Sequence, residues 1–80
     1  MMDLVEICGT VMVVKSTIDG NFIFVKTETG SFERLYDYLR QYEFIEAGTK
    51  GTFLIDGVVR WNACSGYWEA IPRILKFAED

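Results

Sequence analysis

Trp61, Tyr67 and Trp68 crowd into one short stretch and are the groups best suited to do something chemical in this chain. In solvent, such rings anchor a protein interface or form a platform on which bases stack. In a small barrel the same rings are core, and most of their surface is expected there. Tyr38, with Asp37 and Gln41 nearby, is a second contact candidate. The candidate partner surface is therefore Tyr38 together with Arg60, Trp61, Tyr67 and Trp68.

Other chemistry is thin. The chain has no histidine, which removes Ser-His and Cys-His activation, the commonest general base and the commonest metal ligand. Cys8 and Cys64 lie far apart with no C-x-x-C between them, and two cysteines do not complete a structural zinc site. Cys64, in a loop without a visible base or cation, reads as a passive thiol, and Cys8, in an apolar run, as a buried one. Glu43, Glu46, Asp56 and Glu69 read as solvated or turn acids rather than as an acid–base pair in a dry pocket. No phosphate loop, dinucleotide fingerprint or calcium loop is present. The expectation is no enzyme, no cofactor and no metal.

Eighty residues make one domain, 1–80, with a thin core. Half the residues are apolar and 15% are aromatic, so a few large rings can support that core without disulfides. Eight basic residues stand against twelve acidic ones, net −4, which argues against phosphate-backbone binding as the main activity. The acidic start, Asp3 and Glu6, is unlike a secretory leader, and no apolar run is long enough to span a membrane. A cytoplasmic protein with reduced thiols is expected.

The elements that must position these groups can be read in order. Residues 4–15 form a first strand, with Val5, Ile7, Val11 and Val13 on one face and a bulge or bend at Gly9 that lets it join two sheets. Asp19-Gly20-Asn21 is turn chemistry. Phe22 to Glu28 form a second strand, apolar on both faces and so central or covered on both sides. Ser31 caps a helix whose buried stripe is Phe32, Leu35, Tyr36, Leu39 and Tyr42, with Tyr38 on its outer edge. Phe44 and Ile45 dip into the core from a connection over 43–50.

A meander follows. Asp56-Gly57 between apolar runs predicts a two-residue hairpin turn, placing Ile55 opposite Val58 and Phe53 opposite Arg60. A second return through 63–66 sets Asn62 opposite Tyr67, Trp61 opposite Trp68 and Arg60 opposite Glu69, with both tryptophans on one sheet face. Pro72 ends that ladder, and residues 72–79 read as a short helix with Pro72 in its first turn, an extended tail being the alternative. The predicted fold class is α+β and β-rich: a small antiparallel barrel, ββαβββ, with the short helix at its C-terminus.

The stretch Gly48-Thr49-Lys50-Gly51-Thr52-Phe53, through Asp56-Gly57-Val58-Val59-Arg60-Trp61, resembles SH3-like barrels of the KOW type. Gly9-Thr10-Val11, with Gly20-Asn21-Phe22-Ile23-Phe24-Val25, is similar to the opening of cold-shock and other OB-fold domains. Two departures stand against the second likeness. Met12-Val13-Val14 occupies the place of the cold-shock basic-aromatic contact, and the predicted helix follows strand two where an OB-fold sets it after strand three. The resemblances imply a small β-barrel and carry over no site residues.

The expected function is non-catalytic protein binding or regulation, with self-association into a homo-oligomer as one form of it. Small acidic proteins of this kind are frequent among phage and plasmid accessory proteins that inhibit a host enzyme, an analogy of class. The alternative is a barrel that binds single-stranded nucleic acid, stacking bases on Phe22, Phe24, Trp61 and Trp68 beside nearby lysines.

Overall fold

Period-two alternation governs the chain more widely than its sequence suggests, and everything regular among the described residues is strand. The computed structural model describes residues 4–18 and 20–80, with residues 58–60 as backbone only. Five strands form: β1 (Val5–Thr17), β2 (Gly20–Thr27), β3 (Phe32–Asp37), β4 (Lys50–Asn62) and β5 (Tyr67–Glu79). They close into a barrel in the order β1-β2-β3-β5-β4. Every pairing is antiparallel except β3 with β5, which run parallel and meet at Tyr36–Arg73.

β1 is shared between two neighbours, as a long first strand interrupted at Gly9 suggests. It pairs with β4 over Val5–Thr10 and with β2 over Gly9–Thr17. At Gly9 both neighbours press in. A Cβ there would stand 2.5 Å from the Lys26 carbonyl oxygen and 2.6 Å from Val25 Cγ1. Only glycine allows this approach. Two residues on, the ladder to β2 shifts register between Val11 and Val13. The bulge at Met12 changes the phase of the strand. Val11 is buried, but Val14 takes over the packing against the core, and Val13 turns out to solvent.

The interior is filled by Val11, Ile23, Val25, Leu35, Phe53, Ile55 and Ile74. Each such side chain contributes about 1.5–3 kcal/mol when fully buried. Phe77 closes one end, 4.4 Å from the Phe53 ring centroid and 6.0 Å from that of Tyr42. Tyr42 and Ile45, from the connection between β3 and β4, pack against the same cluster.

The α+β expectation is thus corrected to all-β among the described residues. The predicted helix over 31–42 is β3 followed by turns. Leu35 and Tyr36 satisfy a helical stripe and a strand equally. The strand is favoured because Ile23 and Phe22 stand opposite them on β2. Of the remaining stripe, Leu39 and Phe32 are exposed. Ser31 is no helix cap. It closes the β2–β3 turn, where the Thr27 amide donates to its carbonyl at 2.8 Å. Phe44 is exposed rather than dipping inward, while Ile45 packs as expected.

The Asp56-Gly57 reversal does not occur. Both residues lie inside β4, opposite Arg73 and Pro72, so the Ile55–Val58 and Phe53–Arg60 pairings are replaced. Asp56 is drawn into the ladder by Arg73, which donates to its two carboxylate oxygens at 3.0 and 2.7 Å. Pro72 does not end the ladder either. It faces Gly57 where, among the described residues, the hairpin has no third strand to bond, and β5 continues to Glu79, so no helix forms over 72–79. The return at 63–66 stands as predicted, with Asn62 opposite Tyr67, Trp61 opposite Trp68 and Arg60 opposite Glu69. Asp19, named in the first turn, lies outside the described residues.

Candidate functional site

The outward face of β1, β2 and β3 carries a lattice of rings and cations. On β2, Ile23 and Val25 are fully buried, so Phe22, Phe24 and Lys26 point the other way. The register sets three rows across the strands: Lys15–Phe22–Tyr36, Val13–Phe24–Arg34 and Thr10–Lys26–Phe32. Lys15 reaches this face only because of the bulge at Met12. Along β2 the successive outward side chains stand about 6.6–6.8 Å apart.

Each phenylalanine in the lattice has a cation over its ring. Lys15 Nζ stands 5.7 Å from the Phe24 centroid, Lys26 Nζ 5.9 Å from that of Phe32, and the Arg34 guanidinium 5.0 Å from that of Phe22. Such contacts are worth about 0.5–1 kcal/mol at exposed sites. Phe32 is 66% exposed, while Phe22 and Phe24 are half-buried. Phe22 also stacks on Tyr36 at 5.1 Å, and Tyr36 meets Tyr38 edge-on at 5.9 Å. The face thus ends in a run of three rings, with Tyr38 outermost and exposed.

Its borders are held by side-chain hydrogen bonds. Arg40 Nη1 donates to Ser16 Oγ and Asn21 Oδ1, each at 3.0 Å, and Nη2 donates to the Thr17 carbonyl, clamping the β1–β2 corner. The Asp37 carboxylate accepts from the Gln41 and Tyr42 amides at 3.0 and 2.9 Å and so fixes the exit from β3. At the opposite edge, Thr27, Thr29 and Ser31 share hydroxyl contacts of 3.0 and 3.3 Å across the β2–β3 turn. Beside Lys26 lies a hollow of about 310 Å³ lined by Thr10, Lys26, Thr27, Glu28, Lys50 and Asp80, two cations and two carboxylates.

The residues named from sequence divide between two places. Tyr38 belongs to the end of the β2–β3 face, on a turn rather than a helix. Trp61, Tyr67 and Trp68 sit on the distal part of the β4–β5 hairpin. All three are exposed, so their assignment to the core is corrected. Trp61 and Trp68 meet edge-on at 5.6 Å. Tyr67 stands opposite Asn62 and therefore on the other face of the hairpin. Arg60 has its backbone opposite Glu69, and its side chain lies outside the described residues. The single partner surface envisaged from sequence is therefore not assembled as one patch.

Lys15, Lys26, Phe32 and Arg34 were not singled out individually by the sequence reading. The signal for three of them is present: Phe22-x-Phe24-x-Lys26 and Phe32-x-Arg34-x-Tyr36 alternate at strand period on either side of Thr27–Ser31. Both cysteines are free and exposed, which corrects the expectation for Cys8. That residue alternates outward from Ile7 and Gly9, with its Sγ 3.3 Å from Thr52 Oγ1. Among the described residues no helix is long and apolar enough to cross a membrane. Comparison with protein-family models, with curated proteins and with solved structures finds no match to this chain.

Proposed function

We propose that this chain is a small barrel of the OB type that binds single-stranded nucleic acid on the outward face of β1, β2 and β3, with little sequence preference. The observation that carries the proposal is the pairing of every phenylalanine on that face with a cation. A ring offers its flat face to any base, and a lysine or arginine beside it serves the adjoining phosphate. In the free protein the cation rests on the ring. In the complex the base takes that position and the cation swings to the phosphate, so both halves of a nucleotide are met by one pair.

The strand order supports the same reading. A closed β1-β2-β3-β5-β4 circuit with β3 and β5 parallel agrees with an OB arrangement, and oligonucleotides lie on the β2–β3 side of such barrels. The two departures noted in the sequence lose their force. Residues 32–37 are a strand, so the irregular segment follows strand three. The apolar Met12-Val13-Val14 is a bulge, and the basic-aromatic contact is supplied by Lys15 with the β2 and β3 residues. The net charge of −4 leaves the site with only local positive charge. Binding is therefore expected at low salt and to fall steeply as salt rises.

The test is fluorescence anisotropy of an end-labelled oligo(dT). Three phosphates neutralised on a single strand give a log–log salt slope of about −2. A duplex of equal length, whose bases are already stacked on each other, is expected to bind more weakly. No binding at about 20 mM salt would refute the proposal, since that is where counterion release favours binding most.

A further inference from the structure

Beyond Gly57–Pro72 the β4–β5 hairpin leaves the barrel. The pairing of β1 with β4 ends at Val5–Ile55, and β3 meets β5 only at Tyr36–Arg73. Among the described residues, 57–62 and 67–72 therefore form a two-stranded arm whose ladder has no third strand, with Ile71 buried at its base. A ribbon of this kind is marginally stable on its own. One of its faces continues the alternation of the core residues Ile55 and Ile74 outward through Gly57, Pro72 and Ala70 to Trp61 and Trp68. The two indoles remain 50% and 68% exposed.

At the base of the same arm lies an apolar groove of about 220 Å³, lined by Val5, Ile55, Gly57, Ala70, Ile71 and Pro72. Among the described residues its one charged neighbour, Asp56, is engaged by Arg73. The arm thus bears a large apolar knob at one end and an apolar seat at the other, with small residues between them.

We infer that the arm is a homodimer interface, in which Trp61 and Trp68 of each copy occupy the groove at the base of the other copy's arm. Three observations select a second copy over other occupants. Knob and seat lie on one hairpin, which is what a twofold, isologous contact requires. Among the described residues no cation stands over either indole, whereas each phenylalanine of the β1–β3 face has one. The arm is therefore suited to an apolar protein surface and not to phosphates. The area fits a weak dimer. A tryptophan carries up to about 250 Å², so two half-to-two-thirds-exposed indoles offer on the order of 300 Å². The two knobs of a dimer then bury on the order of 600 Å² and the seats add less, because Ile55 and Ile71 are already covered, which places the contact among weak, concentration-dependent interfaces.

Sedimentation equilibrium from about 1 µM to about 1 mM tests the inference directly. The wild type is expected to dimerise. Trp68→Ala removes half the knob, and Ala70→Glu places a charge in the seat while leaving both indoles. Each is expected to raise the dimer dissociation constant at least about tenfold with an unchanged far-ultraviolet spectrum, and Ala70→Glu decides the matter should Trp68→Ala fail to fold. Trp61 and Trp68 are the chain's two tryptophans, so indole emission reports on the arm alone. It is expected to shift to the blue as the dimer forms and to stay unchanged when oligo(dT) is added. A wild type that is monomeric throughout, or an Ala70→Glu variant that dimerises as well as the wild type, overturns the inference. Oligo(dT) quenching of both indoles in a monomer also overturns it, by assigning the arm to nucleic acid. The nucleic-acid reading of the other face is independent, because Phe32→Ala is expected to leave dimerisation intact.

Discussion

At the residue scale, Phe32 and Gly9 show how differently two positions on neighbouring strands are constrained. Phe32 is mostly exposed, with the Lys26 ammonium over its ring, so its replacement by alanine is expected to leave the melting temperature nearly unchanged. Base stacking on a ring is worth about 1–3 kcal/mol. Phe32→Ala should therefore weaken oligo(dT) binding by about fivefold to a hundredfold, read by anisotropy. Lys26→Ala should also weaken it and in addition lower the salt slope by about 0.7, because one phosphate contact is lost. A ring and its cation are thus separable by the quantity each one moves. Gly9 makes no such contact and is fixed by space. Removing backbone freedom from the unfolded chain would favour alanine by about 0.4–1 kcal/mol. That gain is outweighed, because the added methyl meets the Lys26 carbonyl oxygen at 2.5 Å, an atom of the neighbouring backbone that cannot rotate away. Gly9→Ala is expected to destabilise the barrel by about 1–3 kcal/mol in chemical denaturation, the usual cost of overpacking.

At the scale of elements, the β4–β5 hairpin shows what could be read from sequence and what could not. The register of its distal half was legible. Asn62 is a turn-forming residue, and its Oδ1 accepts from the Cys64 and Ser65 amides at 3.0 and 3.2 Å. Gly66 supplies the positive φ of 74° that closes the return. Both are local facts. Asp56-Gly57 carries an equally strong local signal, but the hairpin of twelve residue pairs requires a straight β4 there, and the partner that recruits Asp56 is seventeen residues away. The helix over 31–42 failed for the same reason, since Leu35 and Tyr36 take their conformation from β2. The β1–β3 site was half legible: the alternation on β2 can be read, but the bulge that turns Lys15 to that face depends on pairing. The Asp56–Arg73 pair itself is testable. Hydrogen bonds to charged groups are worth about 1.5–3 kcal/mol, and the partial exposure of Arg73 reduces this. Asp56→Ala should cost about 1–2 kcal/mol in urea denaturation, and Asp56→Asn less. The carboxylate's hydrogen bonds raise the Arg73 guanidinium above its ordinary value. On the alkaline side its share of the stabilisation is therefore fully present below that ordinary value and is lost as the pH rises through the raised one, for as long as Asp56 carries its charge.

At the scale of the whole molecule, a closed barrel is held as firmly as its weakest seam. Four of the five seams are antiparallel ladders, of six to twelve residue pairs. The fifth, where β3 meets β5 in parallel, is registered at Tyr36–Arg73 alone. Parallel pairing is also slightly weaker per residue. Opening there requires few hydrogen bonds to break and leaves the sheet β3-β2-β1-β4-β5 intact, so it is the lowest-energy way for the barrel to open short of unfolding. The proposed site lies on one side of that seam, with β1, β2 and β3 moving as a unit, so the rings and cations of the lattice keep their spacing when the seam breathes. Native-state hydrogen exchange is expected to show this as a division. Core amides in the β1–β2 and barrel-proximal β4–β5 ladders should exchange only through global unfolding, with a full denaturant dependence. Amides bonded across β3–β5 should exchange faster and with almost none. Uniform protection of all five seams would mean that the circuit opens only as a whole, and the description of the β1–β3 face as an independently rigid platform would be wrong.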